Sequence, residues 1–308
     1  MEKILFLQGE FLEKIWGGNR LKKEFPYDFK KDKIGEYWAI SAMDEYPSVI
    51  LNGKFKNEKL NDLYKNQKKL FGGEDKEKFP ILIKLIDAQD DLSIQVHPDD
   101  KMAKDEKSLG KNECWYILNE KKSPIIYGLK TDDKKKAKKM IDEKRWKDLL
   151  KKEETIKGDF FKVPAGMVHA IKKGSLILEI QQASDLTYRL YDYDRKDKDG
   201  NLRDLHLDKS KKAIKTLDTE KIHESLSKDV EVLLENEYFT VRKINVKDKI
   251  NLKRKAPYLL ESVIKGKGEI IIDDKSYPIK KGDFFILTNY VSSYEIRGDI
   301  EIVESFWR

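Results

Sequence analysis

Four residues of this chain, Gln95, His97, Glu113 and His169, are of the types that together hold a divalent cation. They offer two imidazoles, one carboxylate and one neutral oxygen. Zn²⁺ accepts these donors and tolerates open positions, and Fe²⁺ or Mn²⁺ accepts them too. In Leu92-Ser-Ile-Gln-Val-His97, alternate side chains of a strand share a face. Ser93, Gln95 and His97 therefore point one way, and Ile94 and Val96 the other. A polar inward face needs partners, because buried polar groups must be satisfied. Glu113 opens a second strand-like run, Glu113-Cys-Trp-Tyr-Ile-Leu118, and His169 closes the set. His206 and His223 stand in charged, loop-like surroundings and read as surface residues. Cys114 alternates away from Glu113 and reads as core packing. As the single cysteine, it excludes an intramolecular disulfide and fits a reducing cytoplasm.

The elements that must position these groups are mostly strands. The run Gly158-Asp-Phe-Phe-Lys-Val-Pro-Ala-Gly-Met-Val-His169 has the pattern G-x5-P-x-G-x2-H. It reads as a strand, a tight turn and a second strand that aims an imidazole inward. Pro164 fixes φ, and Gly166 permits a turn conformation that other residues resist. Phe79-Pro-Ile-Leu-Ile-Lys-Leu-Ile86, Leu176-Ile-Leu-Glu-Ile-Gln181 and Leu186-Thr-Tyr-Arg-Leu-Tyr191 are short, apolar or alternating, and bounded by turn residues. The clearest helix is expected over 131–154. It opens with Thr-Asp-Asp, and Ala137, Met140, Ile141, Trp146, Leu149 and Leu150 recur at helical spacing. Shorter helices are expected near 60–70 and 210–217. The 158–169 motif resembles the second metal-binding motif of the cupins, which are small double-sheet β-barrels. Many cupins carry H-x-H where this chain has Gln95-Val-His97.

The chain also repeats itself. Gly158-Asp-Phe-Phe161 returns as Gly282-Asp-Phe-Phe285, and Glu113-Cys-Trp-Tyr-Ile117 has a weaker echo in Glu261-Ser-Val-Ile264. The expected fold is therefore mainly β: two cupin (jelly-roll) β-barrel domains, the first with a helical insertion at 131–154. Domain one is placed at 1–229 and domain two at 230–308, with the boundary near 225–230 after the polar stretch 218–229. Pro164, Gly166 and His169 align with Thr288, Tyr290 and Ser293, so the second barrel is expected to be free of metal.

Composition narrows the partners. A chain of 308 residues has room for two modest domains. Charged residues are as frequent as hydrophobic ones, 39% each, which implies a heavily charged, solvated surface. No apolar run approaches the roughly 20 residues needed to span a bilayer, so no membrane partner is expected. The net charge of +7 would suit an anionic ligand. The lysines are spread along the chain rather than gathered, so no nucleic-acid footprint is expected.

The resemblance then becomes specific. The chain is similar to class I mannose-6-phosphate isomerases, in particular their short bacterial form. The segments that carry it are Glu13-Lys-Ile-Trp-Gly-Gly18, Ile34-Gly-Glu-Tyr-Trp-Ala-Ile-Ser41, Phe79-Pro-Ile-Leu-Ile-Lys-Leu-Ile-Asp-Ala88, residues 92–100, Lys111-Asn-Glu113, residues 163–169 and Glu179-Ile-Gln-Gln-Ala-Ser-Asp-Leu-Thr-Tyr-Arg189. Longer members have Lys-Pro-Glu where this chain has Lys111-Asn-Glu113, which leaves both functional residues in place. The resemblance implies a cytoplasmic aldose–ketose isomerase acting on a sugar phosphate. It would interconvert mannose 6-phosphate and fructose 6-phosphate through an enediol. It implies one Zn²⁺ per chain on Gln95, His97, Glu113 and His169, and a monomer or weak homodimer. Catalytic roles carry over to Arg189, Lys111 and Glu179, and substrate contacts to Ser93, Lys84 and Arg189.

The residues make chemical sense in those roles. Lys84 is a cation inside an apolar strand, held in a pocket or else snorkelling to water. Arg189 has the planar fork that suits phosphate. Glu179, a carboxylate inside Leu-Ile-Leu-Glu-Ile, is either buried and paired or catalytic. Trp16 and Trp38 read as packing at the barrel mouth. An iron dioxygenase is the competing enzyme, but redox iron cupins tend to use more histidines than Gln95-Val-His97 provides. A sugar-binding cupin without turnover is opposed by the intact Lys84, Arg189 and four donors.

Overall fold

The computed structural model describes residues 1–73, 77–196, 199–223 and 228–307. Among these residues the chain is mainly β, in antiparallel sheets of nine, seven and five strands. The seven-stranded sheet is buried on both faces. This explains why Ile81–Asp87 and Leu176–Gln182 read as near-continuous apolar runs, for every residue in both strands is buried. One face, with Trp16, Ile86, Trp115, Ile117, Phe161 and Ile177, packs against Ile125, Tyr127 and Ile171 of the five-stranded sheet. The other face, with Ile83, Leu85, Cys114, Tyr116, Leu178 and Ile180, packs against Leu260, Phe284, Ile286 and Val303 of the nine-stranded sheet. Cys114 is thus core, as its alternation implies.

Ser93, Gln95 and His97 do oppose Ile94 and Val96, which pack on the outer face of the five-stranded sheet against Ala137, Met140 and Ile141. Strand pairing then lines up the polar inward residues. Glu179 stands opposite Lys84, Gln181 opposite Glu113, Trp38 opposite Lys84 and His169 opposite Gln95.

The expected helix over 131–154 is shorter. It runs Lys134–Asp142, capped by Asp133 Oδ1, which accepts from the N–H groups of Lys135 and Lys136. Lys144 takes a left-handed φ of 52°, and only a single turn, Trp146–Leu149, follows. Residues from Leu150 onward form the strand Leu150–Thr155 against Ser123–Leu129. The helix expected near 60–70 is Leu60–Asn66 followed by a 3₁₀ turn, Lys68–Phe71. The one expected at 210–217 lies earlier, at Leu207–Ala213.

The repeat is visible atom by atom. Gly158 and Gly282 have φ of 85° and 92°. Asp159 Oδ2 accepts from the N–H of Ile156 at 2.9 Å, and Asp283 Oδ2 accepts from that of Lys280 at 2.8 Å. Register corrects the upstream echo. Phe161 pairs with Trp115 and Phe285 with Glu261, so Glu261 occupies the place of Trp115, and Leu259 that of Glu113. Residues 225–230, the expected boundary, fall partly outside the described residues. Strands Ile4–Gln8 and Val49–Ile50 lie in the nine-stranded sheet, so the chain starts in the sheet that its C-terminal part builds.

Gly166 ties this frame to the site. The N–H of Met167 donates to Pro164 O at 3.0 Å, with Gly166 at φ 96° in the third position of that turn. A Cβ there would lie 3.0 Å from Ala213 O. Gly166→Ala should therefore destabilise the protein by about 1–2 kcal/mol, the cost of a left-handed alanine. A lower urea midpoint is the expected result, and an unchanged midpoint would contradict the strain argument.

Candidate metal centre and its cleft

Three of the four candidate donors meet. Ligating atoms of His97, Glu113 and His169 all lie within 4.8 Å of one another, and all three residues are buried. His97 Nε2 is 3.4 Å from Glu113 Oε2, and His169 Nε2 is 3.4 Å from Oε1. The other ring nitrogens face carbonyls, His97 Nδ1 at 2.8 Å from Leu186 O and His169 Nδ1 at 2.9 Å from Met167 O. A carbonyl only accepts, so each Nδ1 carries the proton and each Nε2 turns a lone pair inward. Glu113 Oε1 has no hydrogen-bond donor among the described residues, and Oε2 meets the Lys111 ammonium at 2.7 Å. A buried carboxylate in that state fits a cation between the imidazoles.

Gln95 completes the group from the strand facing His169. Its amide nitrogen is 3.3 Å from His169 Nε2, and its oxygen accepts from Ser93 Oγ at 3.2 Å. A half-turn of the amide exchanges these two atoms. Lys111 Nζ lies 2.7 Å from Glu113 Oε2 and 3.1 Å from His97 Nε2.

The charges are consistent with this arrangement. Burial, then Lys111, lowers the His97 pKa, and burial pushes His169 down to about 3. Both rings are therefore neutral at neutral pH, as ligands must be. Burial alone would raise Glu113, but Lys111 and then His97 hold it well below the usual carboxylate range. Burial opposes the charge on Lys111 as well, yet Glu113 and then Glu179 raise its pKa, so it stays protonated.

Gln95 and Lys111 line a cleft of about 370 Å³ together with Ser93, Lys84, Glu179 and Arg189. Every sequence-derived site residue is thus at the trio or on this cleft. Lys84 does not snorkel: it is 3% exposed. Its Nζ lies 3.9 Å from Glu36, 3.8 Å from Glu179 and 3.7 Å from Asp185, and 4.5 Å above the Trp38 ring. Glu179 Oε1 accepts from the Trp115 indole at 3.2 Å. Burial, then the Glu113 charge, raises Glu179 to about 7. Trp16 and Trp38 are buried, as expected of packing residues.

Sequence reasoning leaves out other cleft residues, among them Lys14, Glu36, Glu106, Arg203, His206 and Lys209. Glu36 was legible, being a carboxylate inside the buried strand Ile34–Ile40, the same signal that marks Glu179. His206 corrects its assignment to the surface, for it lines the cleft. His223 is half exposed and pairs with Asp159 at 2.9 Å, away from the centre.

Comparison with known proteins gives the family of the chain. Residues 4–147 match the phosphomannose isomerase type I catalytic domain, and residues 229–307 match the mannose-6-phosphate isomerase cupin domain. A mannose-6-phosphate isomerase of Streptococcus mutans is 44% identical over 99% of this chain and 98% of its own length. The chain belongs to the type I mannose-6-phosphate isomerase family. Another member, ManA of Bacillus subtilis, is 42% identical over 98% of both chains. A crystal structure of the mannose 6-phosphate isomerase from Bacillus subtilis superposes with a TM-score of 0.92, at 38% identity, over 99% of this chain and 100% of that one. The mainly β architecture is accordingly that of the cupin-type isomerases.

The raised pKa of Glu179 has a definite consequence for stability. Between the ordinary value of 4.5 and about 7, the folded protein holds a proton on Glu179 that the unfolded chain has lost. Stability from this group is full below that window and falls as pH rises through it. Metal-free wild type should therefore lose more stability between pH 5 and pH 7 than Glu179→Gln. Urea titrations at the two pH values measure this, and equal losses would show that Glu179 titrates normally.

Proposed function

We propose that this protein is a zinc-dependent aldose–ketose isomerase that interconverts mannose 6-phosphate and fructose 6-phosphate through an enediol. The observation that carries the reading is Glu113, buried, ionised and partnered only by Lys111, facing two imidazole lone pairs. The names of relatives at 44% and 42% identity over nearly the whole chain supply the substrate. His97, Glu113, His169 and Gln95, through its oxygen, would hold one Zn²⁺. When bound there, the ion acts as a Lewis acid that stabilises negative charge on the sugar oxygens, without redox.

The proton transfers fall to the protein. In the open-chain aldose, a base removes the proton from C2 while the C1 carbonyl oxygen gains one, giving the enediol. Return of a proton to C1 and loss of one from the C2 hydroxyl gives the ketose. Glu179 suits this shuttle, because a pKa of about 7 lets it take and return a proton at neutral pH. Lys111 remains protonated and is the donor beside it. Lys84, ringed by Glu36, Glu179 and Asp185, orders these carboxylates for the sugar hydroxyls. Arg189 meets the phosphate.

Chelation should abolish formation of fructose 6-phosphate from mannose 6-phosphate, and Zn²⁺ should restore it. Activity that survived thorough metal removal would sink the reading. His169→Ala should lose metal and activity together, while His223→Ala keeps both. Glu179→Gln should bind metal normally but lower kcat by ~10²–10⁴-fold, the usual contribution of a positioned base. A kcat near that of the wild type would move the base elsewhere.

A further inference from the structure

The cations that line the cleft differ in how closely carboxylates pair them. Lys14, Lys84 and Lys111 are grouped with Glu36, Glu113, Glu179 and Asp185. Lys14 Nζ is 3.5 Å from Glu36, and both Lys84 and Lys111 have carboxylates within 4 Å. Each of these lysines is thus already engaged by a carboxylate. The other cations that line the cleft are Arg189, Arg203 and Lys209, with His206 and Glu106. Arg203 Nε donates to Asp192 Oδ2 at 2.7 Å, and Lys209 Nζ lies 3.0 Å from Glu106. Arg189 is different. Among the described residues no carboxylate comes within 4.0 Å of it, and its guanidinium makes one long bond, 3.3 Å, to the carbonyl of Asp204.

His206 is fixed beside that cation, which Asp192, Asp185 and Asp204 influence only from beyond ion-pair distance. Its backbone N–H donates to Arg189 O at 2.8 Å, and its Nδ1 accepts from the N–H of Arg189 at 3.2 Å. A backbone N–H can only donate, so Nδ1 holds the lone pair and the proton sits on Nε2. Nε2–H is on the opposite edge of the ring and has no acceptor among the described residues. Burial, then Arg189, keeps the pKa of this ring low, in keeping with a neutral imidazole of defined tautomer.

We infer that Arg189 receives the 6-phosphate in the cleft and that His206 is a substrate-binding residue beside it. Its Nε2–H donates to a phosphate oxygen while the Arg189 guanidinium supplies the charge. This rests on the reading that the substrate is a hexose 6-phosphate, and it removes Lys84 from phosphate contact. C1 and C2 are then directed to Glu179, Lys111 and the candidate metal ligands. Two strand residues of the polar face, Ser93 and Gln95, line the wall along the cleft.

The test compares zinc-loaded wild type, His206→Ala and His206→Gln with fructose 6-phosphate as substrate and inorganic phosphate as a competing ligand. His206→Ala should raise KM about tenfold, as expected for one lost hydrogen bond to a charged acceptor. Its inhibition constant for phosphate should weaken in parallel, with kcat changed much less. His206→Gln, which restores an N–H donor, should recover most of both. In the wild type, phosphate should shift the His206 Nε2 resonance, a readout that needs no variant to fold. An active wild type in which His206→Ala leaves KM and phosphate inhibition unchanged would overturn the inference. So would a wild-type Nε2 resonance that ignores phosphate. A zinc-loaded wild type with no turnover would instead overturn the substrate reading on which the inference rests.

Discussion

The rest of the structure depends on a carboxylate, Glu113, that is buried and charged with a single cation beside it. Removing such a group from water costs several kcal/mol even after relaxation. Lys111, at 2.7 Å, offsets part of that cost. Burial lowers the pKa of both imidazoles, which leaves Lys111 as the permanent cation beside the carboxylate. Glu113 is therefore left with capacity for one more cation, between two lone pairs held in place by the carbonyls of Leu186 and Met167. The centre is prepared for a metal by its unfilled electrostatics as much as by its donor types.

Holding that arrangement takes a double-sided sheet. Each strand of the seven-stranded sheet sends one set of side chains inward, where Lys84, Glu113 and Glu179 stand. The other set enters a core shared with the nine-stranded sheet. The second repeat thereby acts on the site at one remove, by filling the back of the sheet that carries Lys84, Glu113 and Glu179. Tyr116 shows the link: it lies one strand step from Trp115 and accepts from Lys243 of the second repeat at 3.0 Å. The repeat has also diverged in a physically sensible way. Where the first unit places Glu113, the second places Leu259. Thr288, at the place of Pro164, uses its hydroxyl to hold the backbone of Glu2.

Much of this is legible in the sequence because strand periodicity is local. Alternation in residues 92–97 is enough to put Ser93, Gln95 and His97 on one face, and a lysine or glutamate inside an apolar run marks Lys84 and Glu179. Errors arise where spacing is ambiguous or contacts are distant. Leu149 and Leu150 fit the helical period, but Lys144 in a left-handed conformation ends that pattern, and the following residues alternate in burial as a strand does. Glu261 matches Glu113 by eye, yet hydrogen-bond register shifts it by two positions. His206 reaches the cleft only because a loop returns to the backbone of Arg189, a contact that no local pattern encodes.

The central claim is that Glu113, His97 and His169 form a cation site. The chain has only four histidines, so their ring nitrogens can be followed one by one by NMR during titration of metal-free protein with Zn²⁺. One equivalent should bind and shift Nε2 of His97 and His169 while leaving His206 and His223 in place. Saturation without movement of His97 and His169, or a failure to bind Zn²⁺ at all, would contradict the account.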